Sequence, residues 1–290
     1  MRARIRDTEL YFDVEGSELT IAGPHLYQKP VFFVIHGGPG VDHTTCRPVL
    51  SPLSELAQLI YFDHRGHGRS ARGNPETYTL NNNVEDMEAL RQYLGLPQIG
   101  LLGFSYGGMV ALAYASRYPQ QVSQLIPVVT APDARFLTLA QARLAQEGTP
   151  EQQAIAQLLW DGTFASEQQL RQYFQLLGPL YSLTFDPEKS MEAWHRVIYN
   201  PDAINQAFGG FLKTYDIREQ LPNIWAPTLV IGAEQDWICP PLFSQEIAQA
   251  IPKAKLQIVP NCGHSIRADA PAVLLKLISD FLEAEEVVKS

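Results

Sequence analysis

Six short apolar segments, each bounded by turn-forming residues, alternate along this chain with helical patterns. The apolar segments lie at 31–35, 58–62, 98–102, 122–129, 228–231 and 256–259. The helical patterns lie at 84–94, 109–118, 243–250 and 273–282. Parallel strands need long crossover connections and are usually buried on both faces. The alternation therefore predicts a mostly parallel sheet with helices on both of its faces.

The N-terminal stretch 5–14 differs from these segments in its periodicity. Leu10, Phe12 and Val14 occupy every second position. Such alternation is typical of a strand with one buried face. We therefore predict an antiparallel edge hairpin here, which extends the sheet to eight strands.

The alternation stops between residues 133 and 222. This stretch is rich in Gln, Ala and Leu, is punctuated by prolines, and has helical patterns at 137–147, 151–159, 167–177 and 191–199. We predict that 133–222 is a helical cap, inserted after the sixth strand of an α/β core that comprises 1–132 and 223–290. Because open α/β sheets bind ligands at the carboxyl ends of their strands, we expect the cap to lie over the site.

The composition is that of a globular protein and limits the choice of partners. The chain has 290 residues, of which 46% are hydrophobic and 18% charged, and its formal net charge is −9. This charge argues against nucleic-acid partners and anionic membranes, since phosphate binding needs a concentrated basic surface. The sequence contains neither a signal-like apolar segment nor one long enough to span a bilayer, so we expect a cytoplasmic location. It predicts no particular oligomeric state.

Three widely spaced cysteines fit neither a disulfide framework nor a zinc site. They are Cys46, Cys239 and Cys262. Disulfide frameworks and structural zinc sites both show regular, closely spaced cysteines. A reducing compartment and a protein without a bound metal or cofactor are the simpler expectations.

The pentapeptide GFSYG at 103–107 lies between the predicted strand 98–102 and the predicted helix 109–118. A sharp strand-to-helix turn exposes a serine hydroxyl, and flanking glycines leave room for that turn. The hydroxyl can then attack a carbonyl if a neighbouring base accepts its proton. We predict Ser105 as a nucleophile; the competing interpretation is a glycine-rich turn without a chemical role.

A serine nucleophile requires a base and a group that orients the base. Asp236 lies in the loop after strand 228–231, and His264 lies in the loop after strand 256–259. All three side chains can therefore meet at one edge of the sheet, with His264 as base and Asp236 as orienting acid. Glu234, two residues from Asp236, is the alternative acid. Six further histidines lack this setting: His25, His36, His43, His64, His67 and His195.

The segment HGGPG at 36–40 follows the strand 31–35 and is predicted to supply an oxyanion hole. Backbone N–H groups aimed at the developing negative charge are a large part of catalysis in acyl transfer. We predict Gly38 N–H as one donor and Tyr106 N–H, at a helix N-terminus, as the other. The alternative is a tight turn, and in either case His36 is expected to brace the loop.

A second polar segment, DHRGHGRS at 63–70, follows the strand 58–62. Its histidines and aspartate are too few for a metal site, and it lacks the lysine spacing of a phosphate-binding loop. We interpret it as a structural loop of hydrogen-bonded charges beside the site.

These motifs together resemble the α/β-hydrolase superfamily over essentially the whole chain. The segments that resemble its prolyl aminopeptidase (proline iminopeptidase) group are HGGPG at 36–40, DHRGHGRS at 63–70, DWICP at 236–240 and GHS at 263–265. The resemblance implies Ser105, Asp236 and His264 as a catalytic triad, with the amides of Gly38 and Tyr106 as oxyanion donors. It also implies release of N-terminal proline or a small apolar residue from short peptides, under a helical cap and without a cofactor.

The sequence departs from that group at positions that bear on the substrate. Tyr106 and Phe104 stand where many members have tryptophan and glycine. The group recognises the free amine of its substrate with carboxylates, and no motif here matches them. Glutamates available in the predicted cap are Glu147, Glu151, Glu167, Glu188, Glu192 and Glu219.

Several other functions stay open beside the aminopeptidase. A carboxylesterase or lactonase acting on small acyl substrates is the main alternative, followed by carbon–carbon bond hydrolysis, cofactor-free oxidation and a non-catalytic ligand receptor. An aminopeptidase requires carboxylates that face the substrate amine, whereas an esterase is expected to have an apolar pocket without them. Epoxide hydrolases and haloalkane dehalogenases have an aspartate where this chain has Ser105, which argues against both.

Overall fold

The computed structural model of the protein describes residues 1–287. This part of the chain forms the strands β1 (Arg2–Ile5), β2 (Thr8–Glu15), β3 (Leu19–Ala22), β4 (His25–Gln28), β5 (Val31–Ile35), β6 (Gln58–Phe62), β7 (Ile99–Phe104), β8 (Val122–Val128), β9 (Thr228–Ala233) and β10 (Ala254–Val259). Eight of them form one sheet in the order β1-β2-β6-β5-β7-β8-β9-β10. β2 is antiparallel to both of its neighbours, and the other pairs in this sheet are parallel. The predicted eight-stranded, mostly parallel sheet is confirmed.

The sheet has helices on both of its faces, and the described residues contain ten α-helices in all. They are α1 (Leu80–Tyr93), α2 (Tyr106–Arg117), α3 (Arg135–Glu147), α4 (Pro150–Asp161), α5 (Glu167–Tyr181), α6 (Pro187–His195), α7 (Pro201–Phe208), α8 (Pro241–Ala250), α9 (Ile266–Asp269) and α10 (Pro271–Val287). None of the helices in residues 1–287 is long and apolar enough to cross a membrane.

Successive residues of the central strands enter two separate apolar cores. Phe33 of β5 and Leu101 of β7 pack with α1, α2 and α8, whereas Val34 and Leu102 pack with α10 on the other face. All residues of β5, β7 and β9 are buried. Because burying a large aliphatic side chain contributes about 1.5–3 kcal/mol, these strands form a rigid base for the loops at their carboxyl ends.

The five helices α3–α7 lie between β8 and β9, the sixth and seventh strands of the sheet in chain order. The patterns at 137–147, 151–159, 167–177 and 191–199 correspond to α3, α4, α5 and α6; α7 was not predicted. Prolines begin α4, α6 and α7, where their missing N–H costs no helical bond, but Pro179 lies inside α5. The division into core and cap stays a prediction. The last residues of the predicted core, 288–290, lie outside the described part of the chain.

A two-stranded hairpin of β3 and β4 was also not predicted. It pairs antiparallel, with Ile21 opposite Leu26. Both side chains are more than half exposed. The alternation of apolar and polar residues that indicates a half-buried strand is therefore missing. Hydrogen bonding between backbones does not by itself produce a sequence pattern from which a strand can be predicted.

Candidate active site

Ser105 is the single residue between the end of β7 and the start of α2, and its backbone is strained. Its φ is 52° and its ψ is −118°, a conformation that a residue other than glycine rarely adopts. Two hydrogen bonds hold it there. Ser105 N donates to Val128 O at 2.9 Å, and Thr130 Oγ1 donates to Ser105 O at 2.7 Å. The side chain is thereby lifted clear of the sheet edge.

The glycines on either side of Ser105 permit this close strand-to-helix turn. A Cβ atom on Gly107 would lie 2.3 Å from the carbonyl oxygen of Ile35, and one on Gly103 would lie 2.3 Å from that of Gly107. Both distances are far shorter than a van der Waals contact with rigid backbone. The sequence pattern of the pentapeptide thus follows from the packing of α2 against β5 and β7.

A continuous chain of hydrogen bonds joins Ser105 to His264 and Asp236. Ser105 Oγ lies 2.9 Å from His264 Nε2, and His264 Nδ1 lies 2.8 Å from Asp236 Oδ2. The three residues follow β7, β10 and β9, whose carboxyl ends meet at one edge of the sheet. Residues 159 positions apart in the sequence are therefore brought into direct contact.

The carboxylate of Asp236 is fully buried and fixed by the backbone. Its Oδ1 accepts from the N–H groups of Ile238 and Cys239, both at 2.8 Å, which leaves Oδ2 for His264. Because an ionised carboxylate only accepts hydrogen bonds, His264 Nδ1 carries a proton and Nε2 can accept one from Ser105. The alternative acid Glu234 is exposed and instead accepts from Asn261 N at 3.1 Å.

The two amides predicted as oxyanion donors belong to residues that line the cavity at Ser105. Gly38, with φ 105°, and Tyr106, the first residue of α2, line the same cavity as the serine. Neither N–H forms a hydrogen bond within residues 1–287. Two unpaired donors next to a nucleophile can receive the oxygen of a polarised carbonyl.

Comparison with known proteins shows which family has this fold. A family model described as the alpha/beta hydrolase fold matches residues 30–271. The chain belongs to the alpha/beta hydrolase family. The protein is therefore a hydrolase, and the fold predicted from its motifs is confirmed.

Similar members of this hydrolase family include peptidases and esterases. Proline iminopeptidase PfmaB of Pestalotiopsis fici is 33% identical over 281 residues, which cover 94% of this chain and 99% of that protein. The crystal structure of a proline iminopeptidase from Mycobacterium smegmatis has a TM-score of 0.78 at 22% identity, covering 100% of this chain and 99% of that chain. An esterase from Exiguobacterium antarcticum has a TM-score of 0.77 at 23% identity, covering 97% and 98%.

A cavity of about 580 Å³ opens above Ser105 in this hydrolase. Its buried inner wall, which we call the apolar chamber, includes Met109, Phe136, Leu159, Phe208, Leu212 and Ile238. Four of these six side chains belong to the segment between β8 and β9. That segment thus supplies most of the apolar surface that a bound substrate would meet.

Charged residues line the cavity mainly where it meets solvent. We call this part the mouth; its charged residues are Arg47, Asp186, Lys189, Arg196 and Arg267. Asp186 is the one Asp or Glu among the described residues that line the cavity. None of the six glutamates considered for amine recognition, all of which are described, lines it.

A clasp centred on Asp269 ties the end of α5 to the loop 263–265 that carries His264. The Asp269 carboxylate accepts from the hydroxyls and amides of 182–184 at 2.6–3.1 Å, and from the first amide of the loop at 2.8 Å. The last amide of the loop donates to Tyr181 O at 2.7 Å. The position of the histidine therefore depends on contacts with the helical segment, and no sequence motif indicated these contacts.

The segment 63–70 is a buried, hydrogen-bonded loop beside the site. Asp63 accepts from His43 N, His43 Nδ1 and Arg69 N, each at 2.8 Å. His36 accepts from His64 N at 3.3 Å and lies 2.8 Å from the carbonyl of Gly37, so it braces the loop 36–40. Within residues 1–287, no group of three His, Cys, Asp or Glu side chains is arranged to hold a metal ion.

We expect the free energy of unfolding to fall as the pH is lowered from 7.5 to 4.5, because three buried histidines resist protonation. Burial lowers the pKa of His36, His64 and His67, that of His67 to about 3. In the unfolded chain these pKa values return to about 6.5, so the unfolded state binds protons first as the pH falls. The free energy of unfolding that these neutral histidines contribute is fully present above about pH 6.5. It is lost progressively as the pH falls from there toward their lowered pKa values. Urea unfolding at several pH values measures this slope.

His64 allows a direct check of this pH dependence. Neither ring nitrogen has a hydrogen-bond partner in the described part of the chain. The H64L variant should therefore show a shallower slope, whereas the control variant H25Q, at an exposed histidine, should keep that of the wild type. An unchanged slope in H64L would contradict this assignment.

The three cysteines are buried and unpaired. Burial raises the pKa of Cys262 to about 12 and raises the pKa values of Cys46 and Cys239 as well. Because the thiolate is the reactive form, these groups act as small apolar side chains.

Proposed function

We propose that this hydrolase cleaves esters or lactones of apolar acyl groups through an acyl-enzyme formed on Ser105. The observation that carries the proposal is the hydrogen-bond chain from Ser105 through His264 to Asp236, with its serine end at the base of the cavity. A serine, a neutral imidazole and a buried carboxylate in this order form the arrangement that activates a hydroxyl for attack.

In the proposed first step, Ser105 Oγ attacks the substrate carbonyl while His264 Nε2 accepts the hydroxyl proton. Asp236 stays ionised and stabilises the imidazolium that forms. The negative charge on the carbonyl oxygen is received by the amides of Gly38 and Tyr106. When the tetrahedral intermediate collapses, the leaving oxygen takes the proton from His264 and an acyl-serine ester remains.

In the second step, water attacks this ester and His264 again acts as the base. The oxyanion returns to the same two amides, and collapse expels Ser105, which recovers its proton from His264. The acid is released and the free enzyme is restored. The chain of bonds among the described side chains thus serves both halves of the reaction without a metal or cofactor.

The chemistry of the cavity supports an ester with an apolar acyl group as the substrate. Six buried apolar side chains form the chamber, and Asp186 is the one carboxylate found at the mouth. That carboxylate accepts from two amides at the start of α6, so its charge is already stabilised. A substrate amine would therefore find little electrostatic attraction, whereas an acyl chain would bury its surface.

We further propose that 133–222 acts as a cap that sets acyl specificity. The segment supplies Phe136, Leu159, Phe208 and Leu212 to the chamber. Differences among these side chains between family members would alter the space for the acyl chain and leave the sheet edge that holds Ser105 unchanged.

Release of N-terminal proline is the second candidate function. It is favoured by the 33% identity with a relative named as a proline iminopeptidase, which extends over 94% of this chain. This activity would need a group at the cavity that recognises the amine, and Asp186 is the available carboxylate.

A matched set of substrates tests the choice between the two functions. We expect hydrolysis of 4-nitrophenyl butyrate, and no preference for proline 4-nitroanilide over the 4-nitroanilide of cyclopentanecarboxylic acid, which lacks the amine. A site built to bind the amine would favour the proline compound by about 10⁴-fold, since its polar groups would otherwise be left unpaired. Such a preference would establish the second candidate. If the enzyme cleaved none of the three substrates, the proposed function would be contradicted.

A further inference from the structure

The charge at the mouth of the cavity is opposite to that of the whole protein. The chain has 31 acidic and 22 basic residues, but the charged residues of the mouth are four cations and one carboxylate. A cleft that concentrates one sign of charge attracts ligands of the opposite sign. The excess of positive charge therefore points to an anionic group on the substrate.

Two of these cations are already neutralised by carboxylates. Arg47 forms ion pairs with Asp13 and Glu15. Lys189 lies 3.7 Å from Asp186 across one turn of α6. The charge of each of these two side chains is therefore already balanced by a carboxylate, and neither is a candidate to bind an anionic ligand.

Arg196 and Arg267 form no ion pair within residues 1–287, and they differ in exposure. Arg196 is exposed, so water screens its charge. Arg267 is half-buried, which leaves its charge less screened. Among the described residues of the mouth, Arg267 is therefore the cation with most to gain from an anionic partner.

Arg267 lies close to the nucleophile and is held in a fixed orientation. Its guanidinium carbon lies 4.5 Å from the ring centre of Phe104, the residue before Ser105. Its Nη1 donates to Cys46 Sγ at 3.3 Å. A thiol sulfur is a weak acceptor, and a guanidinium has five N–H donors, so most of its hydrogen-bonding capacity is unused. Its backbone follows His264 by three residues.

We propose that Arg267 binds a carboxylate on the leaving-group side of the substrate, while the apolar chamber holds the acyl group. This inference rests on the proposed ester hydrolysis at Ser105. The guanidinium lies over the ring of Phe104, and a guanidinium has two parallel N–H groups that match the two oxygens of a carboxylate. The substrate class is then an ester that joins an apolar acid to a hydroxylated carboxylic acid.

Two esters that differ only in charge test this proposal. They are the hexanoate esters of 4-hydroxybenzoate and of 4-hydroxybenzamide, which share the acyl group and the shape of the leaving group. We expect kcat/KM of the wild type to be about tenfold higher for the carboxylate ester, since a charge-assisted hydrogen bond contributes at least that factor. R267Q should remove the preference by lowering only the rate with the carboxylate ester, and R267K should keep part of it.

Activity with the neutral ester shows in each variant that the active site remains folded. R218Q is the matched control, because Arg218 is an exposed guanidinium paired with Asp216 and does not line the cavity. Equal kcat/KM for the two esters in the wild type, or an unchanged preference in R267Q, would overturn the role of Arg267 while ester hydrolysis stands. If the wild type cleaves neither ester, or S105A cleaves both as fast as the wild type does, the proposed function itself fails.

Discussion

S105A is expected to lower kcat for 4-nitrophenyl butyrate by about 10⁶-fold, because loss of the nucleophile of a serine triad removes nearly all of its catalysis. The variant has no hydroxyl to form the acyl-enzyme, and His264 loses the group whose proton it accepts. Binding in the cavity and the free amides of Gly38 and Tyr106 would remain. A small residual rate above that in water is therefore compatible with the mechanism.

A second serine in the adjacent helix provides the matched control. Ser116 lies in α2 and donates only to the carbonyl of Ala113 at 3.0 Å. S116A should keep the activity of the wild type, and thermal unfolding should show both variants folded. If S105A retained more than about 1% of wild-type kcat, a loss far smaller than removal of a nucleophile causes, attack by Ser105 would be excluded.

D236N is expected to lower kcat by about 10⁴-fold with little change in the fold, because it fixes the wrong tautomer of His264. The N–H groups of Ile238 and Cys239 both donate to Oδ1. They would hold the amide oxygen in that place, and the amide NH₂ would then face His264 Nδ1. That nitrogen would have to accept, so the proton would move to Nε2 and block transfer from Ser105.

The control for this variant is D280N, at an exposed aspartate that pairs with Lys276 on α10. It makes the same chemical change away from the cavity and should leave kcat unaltered. Substrate KM should also change little in D236N, since Asp236 does not line the cavity. A large rise in KM with an unchanged kcat would contradict an orienting role for this carboxylate.

The order of elements and the sharp turn that carries Ser105 could be predicted because each is encoded locally. Buried parallel strands are continuous apolar runs, and the strained turn at Ser105 requires the glycines beside it. Local information also favours Asp236 over Glu234, because Asp236 lies farther past the end of β9. In the structure it is Asp236 that meets His264.

The substrate-facing part of the site could not be predicted because it depends on distant packing. Nothing in the helical patterns distinguishes Phe136 or Leu159 in the chamber from other buried side chains of the same segment. The role proposed for Arg267 depends on its position over the ring of Phe104, which lies 163 positions earlier at the end of β7. The helix α7 was missed because it is only eight residues long. The hairpin β3–β4 was missed because its strands are short and Ile21 and Leu26 are exposed, which removes the alternation of a half-buried strand.

The clasp at Asp269 limits how this enzyme could acquire a new specificity. Recombination that replaced the helical segment with that of a relative would also exchange the hydroxyls and amides of 182–184. A replacement segment that lacks these hydroxyls and amides would leave Asp269 without their hydrogen bonds. The loop 263–265, which carries His264, would then no longer be tied to the helical segment. Successful exchanges must therefore bring both halves of the clasp together, so the acyl specificity proposed for this segment and the placement of His264 would be inherited as one unit.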